Sequence, residues 1–519
     1  MTGWDACPTG SQQGRGVMVF ATIWWLFFWT DLGLCIGSFL NVVIYRLPRQ
    51  FSLRDPLWSA CPHCAHRIRW YDNLPIVSYL LLGARCRDCG RPISPRYLLI
   101  EVMMAVMVLM LLDAFFIGRG RPGFSESTIG LSEQLAYDWP ILVTHIILFA
   151  CLLAMSAIDL EHYWVDIRFT NFATIAGFVA HTLWTPKHSL AFGRPWDTTA
   201  IVALFALVGL CLVWLILACT RHVDNEDFEE ALPMEDAPIS TTQPQADSEN
   251  RIEPPVAAPI VLPSRSPWAA VAALLIASTL LFSMVAVGFA EMHHDLASYA
   301  LRIGAPLVLL FLLIVWQGCQ SREADADIAQ AIYEERFTAR RMVLQELALL
   351  LPAAALGLAG YLIMANEGQL AAGLTSALDL HFRFEPLSLF RRWTPLEGLA
   401  TAATGYVVAG ALGWTIRIVF TLAFGKEAFG TGDIHLMAAA GCVAGWPVVT
   451  LGFFLTCILA MAGWIISLPF KRSRAIPLGP WLSLSFLLVI VLHNPLFQWV
   501  PIARTLEAIH VLFLSDITR

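Results

Sequence analysis

Apolar residues fall into long blocks divided by shorter polar stretches. The blocks run approximately over 17–45, 98–117, 139–158, 169–185, 199–219, 267–290, 299–317, 342–365, 399–423, 447–469 and 476–493, with a shorter one at 434–446. Most approach the roughly 20 residues that cross a bilayer as a helix. In hydrocarbon every backbone polar group needs a partner within the protein, and continuous apolar runs meet that need as helices rather than as alternating barrel strands. The pattern therefore predicts an all-α, polytopic membrane helical bundle. The first block begins after a polar stretch and has no small-residue cleavage site behind it, so it reads as a span rather than a removed signal.

Composition agrees: 57% of the 519 residues are hydrophobic and 14% charged, against roughly 45–50% and 25% in soluble domains. The net charge of −7 comes from one place, because 221–266 carries ten acids and three arginines and the remainder is neutral. That excludes a global basic surface for nucleic acid. The same segment is rich in Pro, Ser and Gln and poor in aromatics, which predicts a disordered acidic linker. Ser321–Arg341 mixes both signs at helical spacing and predicts a solvated helix at the membrane surface.

Orientation follows from 46–97, where nine arginines face Asp55, Asp72 and Asp88. The positive-inside rule puts this loop in the cytoplasm. Counting spans from it brings Asp159, the acidic linker, 318–341, the turn near Gly430 and the Lys471, Arg472, Arg474 cluster to the same side. The expected location is the cytoplasmic (inner) membrane, multi-pass.

Within that loop, Cys61-Pro-His-Cys64 and Cys86-Arg-Asp-Cys89 form two C-x-x-C pairs at zinc-ribbon separation. Four thiolates make a closed tetrahedral site, which is structural rather than catalytic. Two disulfides or inert thiols are the alternatives, disfavoured by a reducing cytoplasm. His63 and His66 read as surface residues beside the four cysteines.

Ionisable groups at apolar spans are costly and therefore candidates for function. Asp31, Glu101, Asp113, Asp159 and Asp433 qualify. Asp159 closes the third block, and Asp433 ends Gly430-Thr431-Gly432-Asp433 before another apolar helix. Two carboxylates at one depth can converge, one keeping a proton while the other activates water. Gly430 and Gly432 would allow positive φ and close backbone approach, and a helix dipole would favour Asp433 as the base, with Asp159 as the acid. The plain alternatives are that Asp433 is a helix N-cap and Asp159 an interfacial residue facing water.

These residues resemble a known family. Gly37-Ser-Phe-Leu-Asn41-Val-Val-Ile-Tyr-Arg46-Leu-Pro48, the two cysteine pairs around Trp70-Tyr-Asp-Asn-Leu-Pro75, Cys89-Gly-Arg-Pro-Ile-Ser-Pro-Arg-Tyr97 with Glu101, Asp159 with its following segment, Gly425 to Asp433, and Ile476-Pro-Leu-Gly-Pro480 resemble type IV prepilin peptidases over about 20–185 and 400–495. The resemblance implies a membrane aspartic endopeptidase that removes the basic leader of prepilins and pseudopilins of pilus and type II secretion systems, with Asp159 and Asp433 catalytic and Gly430, Gly432 and Asp166 supporting. It also implies methylation of the new N-terminus with S-adenosylmethionine, for which Gly37, Asn41, Arg46 and Glu101 are the candidate region. An ion pair of Glu101 with Arg96 or Arg46 is the structural alternative. Asp31 and Asp113 have no family counterpart and read as facing water or other helices.

Three departures stand out. Val165-Asp166 replaces Pro-Asp, His435 replaces a usual Lys, and about 200 extra residues separate the two aspartate motifs. The expected organisation is an N-terminal tail (1–16), a prepilin-peptidase region with the four-cysteine loop (17–117), a unit carrying the first aspartate (118–198), an insertion with extra spans and the acidic linker (199–398), the Gly-x-Gly-Asp unit (399–495) and a tail (496–519). An even number of added spans keeps both aspartates on one face. The expected partners are prepilin-like proteins and lipid, and the expected ion is structural zinc. Two other readings are a transporter using membrane acids as an ion relay, which needs acids near the midplane, and a non-catalytic assembly scaffold.

Overall fold

The computed structural model describes residues 12–54, 58–117, 131–162, 166–184, 198–230, 339–366, 395–427, 429–468 and 477–498, with scattered positions between 304 and 314. The predicted block at 267–290, most of that at 299–317 and most of Ser321–Arg341 lie outside them. So do the acidic linker beyond 230 and the tail beyond 498.

Among the described residues the regular structure is helical. In chain order the helices are α1 (Gln12–Arg46), α2 (Val77–Leu81), α3 (Pro95–Leu112), α4 (Leu131–His162), α5 (Ile167–Leu183), α6 (Thr198–Glu230), α7 (Ala339–Asn366), α8 (Pro395–Phe424), α9 (Thr431–Ala444), α10 (Trp446–Ser467), α11 (Gly479–Val491) and α12 (His493–Gln498). Seven of them, α1, α3, α4, α6, α7, α8 and α10, are long and apolar enough to cross a membrane. The chain is a multi-pass membrane protein.

Several boundaries differ from the sequence reading. α6 continues through Glu230, ten residues into the segment expected to be disordered. α1 starts inside the expected N-terminal tail. The block 476–493 yields only the 13-residue α11, whose start is set by Pro480 in the first turn. α12 occupies the first residues of the expected C-terminal tail. α9 and α10 are separated at Gly445, whose φ of 93° only glycine adopts without strain, and Pro447 then opens the next helix.

The packing runs opposite to that of a soluble protein. On α10 the small residues Gly452, Thr456, Ala460 and Gly463 are buried, while Phe454, Ile458, Met461 and Ile465 are exposed. Large apolar side chains turned outward and small ones inward are what lipid as solvent selects, because close backbone approach rather than water exclusion drives association. Gly452 receives the Phe486 ring and Gly463 the Trp481 ring of α11. Gly405 of α8 and Gly441 of α9 cross so tightly that a Cβ on either would overlap the other's backbone.

α3 lies at the centre, buried almost throughout, and packs on α1 and α4. Gly33 and Gly37 of α1 lie against it: a Cβ on Gly37 would stand 2.5 Å from the Glu101 Cα, and one on Gly33 2.7 Å from the Ala105 Cα. This small-x-x-x-small pair places the start of α3, and with it the exit of the cysteine loop, against the end of α1. α6 and α7 pack antiparallel, with Gly209 against Ala353 and Gly360 against Phe205, and both pack on α8.

Candidate functional site

The loop between α1 and α3 is built on its two cysteine pairs. Each knuckle is clipped by one antiparallel bridge, Ala60 with Arg67 and Arg85 with Pro92. Backbone bonds Cys61 N–H to His66 O (3.0 Å) and Cys86 N–H to Arg91 O (2.8 Å) close them. Ala65 and Gly90 take positive φ at equivalent corners. Arg87 grips Asp72 with Nη2 at 2.6 Å and Nε at 2.8 Å, joining the second knuckle to the intervening turn and holding the Asp72 carboxyl below its ordinary range.

The four sulfur atoms lie within 4.8 Å of one another, and all four cysteines are free. Cys61 Sγ and Cys89 Sγ are 3.9 Å apart. A tetrahedral ion with metal–sulfur bonds of about 2.3 Å spaces its ligands about 3.8 Å apart, whereas a disulfide needs about 2.05 Å. Burial pushes the Cys61 thiol up to about 12, while backbone N–H groups of Cys89 and Asp88 bring Cys86 down to about 7. Metal binding deprotonates cysteine ligands, so a cation at this site would hold all four as thiolates. The cluster can hold a metal ion. Neither histidine belongs to it: the His63 ring faces Arg91 at 3.4 Å.

The residues expected around methyl transfer lie together where α1, the cysteine loop and α3 meet. Asn41 donates to Tyr97 O at 2.9 Å. Arg46 donates to the carbonyls of Ser52 (3.1 Å) and Trp58 (3.1 Å). Glu101 pairs with neither Arg96 nor Arg46 but accepts from the Ile76 N–H at 2.9 Å. Arg96 instead pairs with Glu161 near the end of α4. Asn41, Arg46 and Glu101 are all buried, and the Asn41 Oδ1 is buried with no hydrogen-bond partner.

Asp159 lies three residues before the end of α4 and is 7% exposed. Its Oδ2 accepts from the Gly479 N–H at 3.2 Å, so α11 presents its N-terminus to this carboxylate. A Cβ at Gly479 would stand 2.8 Å from that oxygen. Asp433 is the third residue of α9 and partly exposed, within the field of the Asp159 charge. The structure thus brings two carboxylates, each beside a helix N-terminus, into one neighbourhood. Asp433 is not the N-cap of its helix; Gly430 is.

The glycine expectation needs correction. Gly430 has φ −67° and Gly432 is helical, so neither uses positive φ; that conformation falls on Gly425. Gly430 matters through space, because a Cβ there would stand 3.3 Å from the Asp433 Oδ2. Asp166 caps α5, accepting from the Arg168 N–H at 2.9 Å and pairing with its guanidinium at 2.6 Å. That does the helix-starting work expected of the missing proline.

Next to the Asp159 turn a small apolar cavity of about 50 Å³ lies between α3, α4 and α11, lined by Ile100, Met103, Met107, Leu153 and Leu160, with Arg96 also in its wall; neither aspartate lines it. The sequence reading missed two features. Gly479 was noted only within a resemblance, although a Gly-Pro pair at a helix start signals close approach. Arg417, 2% exposed within an apolar block, and its partner Glu346 at 2.9 Å carried the same signal as the acids weighed: charge inside a span.

Fold and site describe a multi-pass membrane protein in which two acidic side chains at helix ends come within electrostatic reach of one another, with a four-cysteine loop between its first two spans. Residues 32–115 match the family model of the bacterial peptidase A24 N-terminal domain, and residues 380–465 that of the type IV leader peptidase family. Proteins named prepilin leader peptidase/N-methyltransferase are similar: one from Myxococcus xanthus at 39% identity over 28% of this chain and 37% of its own length. Another from Burkholderia pseudomallei is 31% identical over 41% of this chain and 62% of its own, and one from Pseudomonas putida 31% identical over 37% and 74%. The match therefore spans less than two thirds of the first two relatives. No solved structure matches. The chain belongs to the prepilin leader peptidase/N-methyltransferase family.

Proposed function

We propose that the protein is a membrane aspartic endopeptidase that removes the basic leader from prepilin-like or pseudopilin-like proteins at the cytoplasmic face of the inner membrane, with Asp159 and Asp433 as its catalytic pair. The observation that carries this is that the two carboxylates, far apart in sequence, lie close enough to interact electrostatically, each beside a helix N-terminus and one of them partly exposed. Two carboxyl groups in one pocket share a proton. The ionised member takes a proton from water as the water attacks the scissile carbonyl, and the protonated member donates to the carbonyl oxygen. Collapse of the tetrahedral intermediate then breaks the C–N bond as the member that took the water's proton passes it to the leaving amine and the other recovers its own from the hydroxyl. Asp433, the more open of the two, is the base; the pair titrates as a unit.

The cytoplasmic assignment rests on the arginine-rich loop and on the Arg96–Glu161 pair, which ties the Asp159 end of α4 to the loop side of α3. Cys61, Cys64, Cys86 and Cys89 hold a zinc ion with no open coordination position, so its part is to fix the loop. Methylation rests on the relatives' names alone. A transporter is disfavoured because both acids stand at helix ends rather than midway along a span. The test is leader removal from a purified prepilin by wild type, Asp159→Asn and Asp433→Asn in detergent. Both variants should be inactive while folding normally; processing by either excludes the pair.

A further inference from the structure

Arg417 lies in α8 within an otherwise apolar run, and a buried guanidinium is costly unless its donors are met. Its Nε and Nη2 form a fork on Glu346, at 2.9 and 3.0 Å. Its Nη1 donates to the Glu427 carboxylate and to the Phe429 carbonyl. These partners come from two places. Glu346 belongs to α7, within the 199–398 insertion, whereas Glu427 and Phe429 belong to the loop that delivers Asp433.

That loop has few other fixings. It leaves α8 through Gly425 at φ 69°, where the Arg340 guanidinium of α7 would stand 3.3 Å from an added Cβ. It is anchored at its far end by the buried Phe429 ring against Phe453, centroids 5.9 Å apart. Phe429 immediately precedes Gly430, the N-cap of α9, and the first turn of α9 carries Asp433. A shift of the Phe429 carbonyl is therefore passed directly to the carboxylate.

We propose that Arg417 is a positioning residue for Asp433, and that Glu346 makes the inserted helix α7 part of the active-site scaffold rather than a separate module. The inference rests on the peptidase reading only for the chemistry that Asp433 performs. Glu346→Gln keeps the side-chain shape and removes the charge. For this variant kcat for leader cleavage, on a peptide with a basic leader and an apolar segment, should fall on the order of tenfold to a hundredfold, as a misplacement of up to about 1 Å implies. KM should not change, and amides of 425–435 should exchange faster with solvent. Arg417→Lys, which cannot form the fork, should behave alike. Arg341→Gln, exposed on the same helix, should match wild type. Wild-type kcat and exchange in Glu346→Gln overturn the proposal, as does a lower melting temperature with unchanged kcat per folded molecule. If wild type cleaves no leader, the peptidase reading fails, and exchange at 425–435 alone decides the tether.

Discussion

Replacing Gly479 by alanine probes the Asp159 environment with a single methyl group. The added Cβ would stand 2.8 Å from the Asp159 Oδ2 and 3.5 Å from its Cγ. An ordinary carbon–oxygen contact is about 3.4 Å, so the carboxylate must retreat by about 0.6 Å or rotate. Either movement stretches the 3.2 Å bond from the Gly479 N–H, and a hydrogen bond to a charged group contributes about 1.5–3 kcal/mol. Losing even about 1.4 kcal/mol in the transition state slows the reaction about tenfold. Gly479→Ala should therefore lower kcat about tenfold or more. Gly452→Ala is the control, because its Cβ would meet the Phe486 ring at 2.5 Å, also against α11 but away from the carboxylates. It should lower thermal stability and leave kcat per folded molecule intact. The assay is steady-state leader cleavage normalised to folded protein from a thermal scan. Wild-type kcat in Gly479→Ala, or equal loss in both variants, would refute a role for this contact in setting Asp159.

Two further outcomes follow from the loop and from the crossing that supports it. Cys61→Ser and Cys86→Ser should each reduce bound zinc, measured by atomic emission, from about one ion per chain towards none; protease sensitivity within 58–94 should rise, and full metal retention in either variant would remove that cysteine from the ligand set. Gly37→Leu puts a branched side chain where a Cβ alone would stand 2.5 Å from the Glu101 Cα. It should cost about 1–3 kcal/mol or more through overpacking, read as a lower melting temperature in detergent, and an unchanged melting temperature would show that α1 and α3 are not held this closely.

Much of the bundle was legible because a membrane helix is specified by local composition. The blocks that became α1, α3, α4, α7, α8 and α10 needed only length and hydropathy, and the cysteine pairs needed only spacing. What spacing alone did not convey was how backbones approach. Gly33, Gly37, Gly405 and Gly441 act through contacts with other helices, and a lone glycine inside an apolar run looks the same whether it meets lipid or a neighbouring backbone. The expectation of positive φ at Gly430 failed for a related reason: the turn occurs earlier, at Gly425, leaving Gly430 extended as an N-cap.

The insertion shows the same limit from the other side. Its composition suggested extra spans and a spacer, and α6 and α7 supply apolar helices, but Glu346 meets Arg417 and Arg340 meets Gly425 only in three dimensions. α6 ends and α7 begins towards the side of the bundle that holds both aspartates, since Gly209 lies against Ala353 in antiparallel packing and Arg340 touches the loop before Asp433. Among the described residues, Glu346 and Arg340 of α7 link the insertion to the loop before Asp433, so a charge lost at Glu346 reaches that loop through Arg417 and the Phe429 carbonyl.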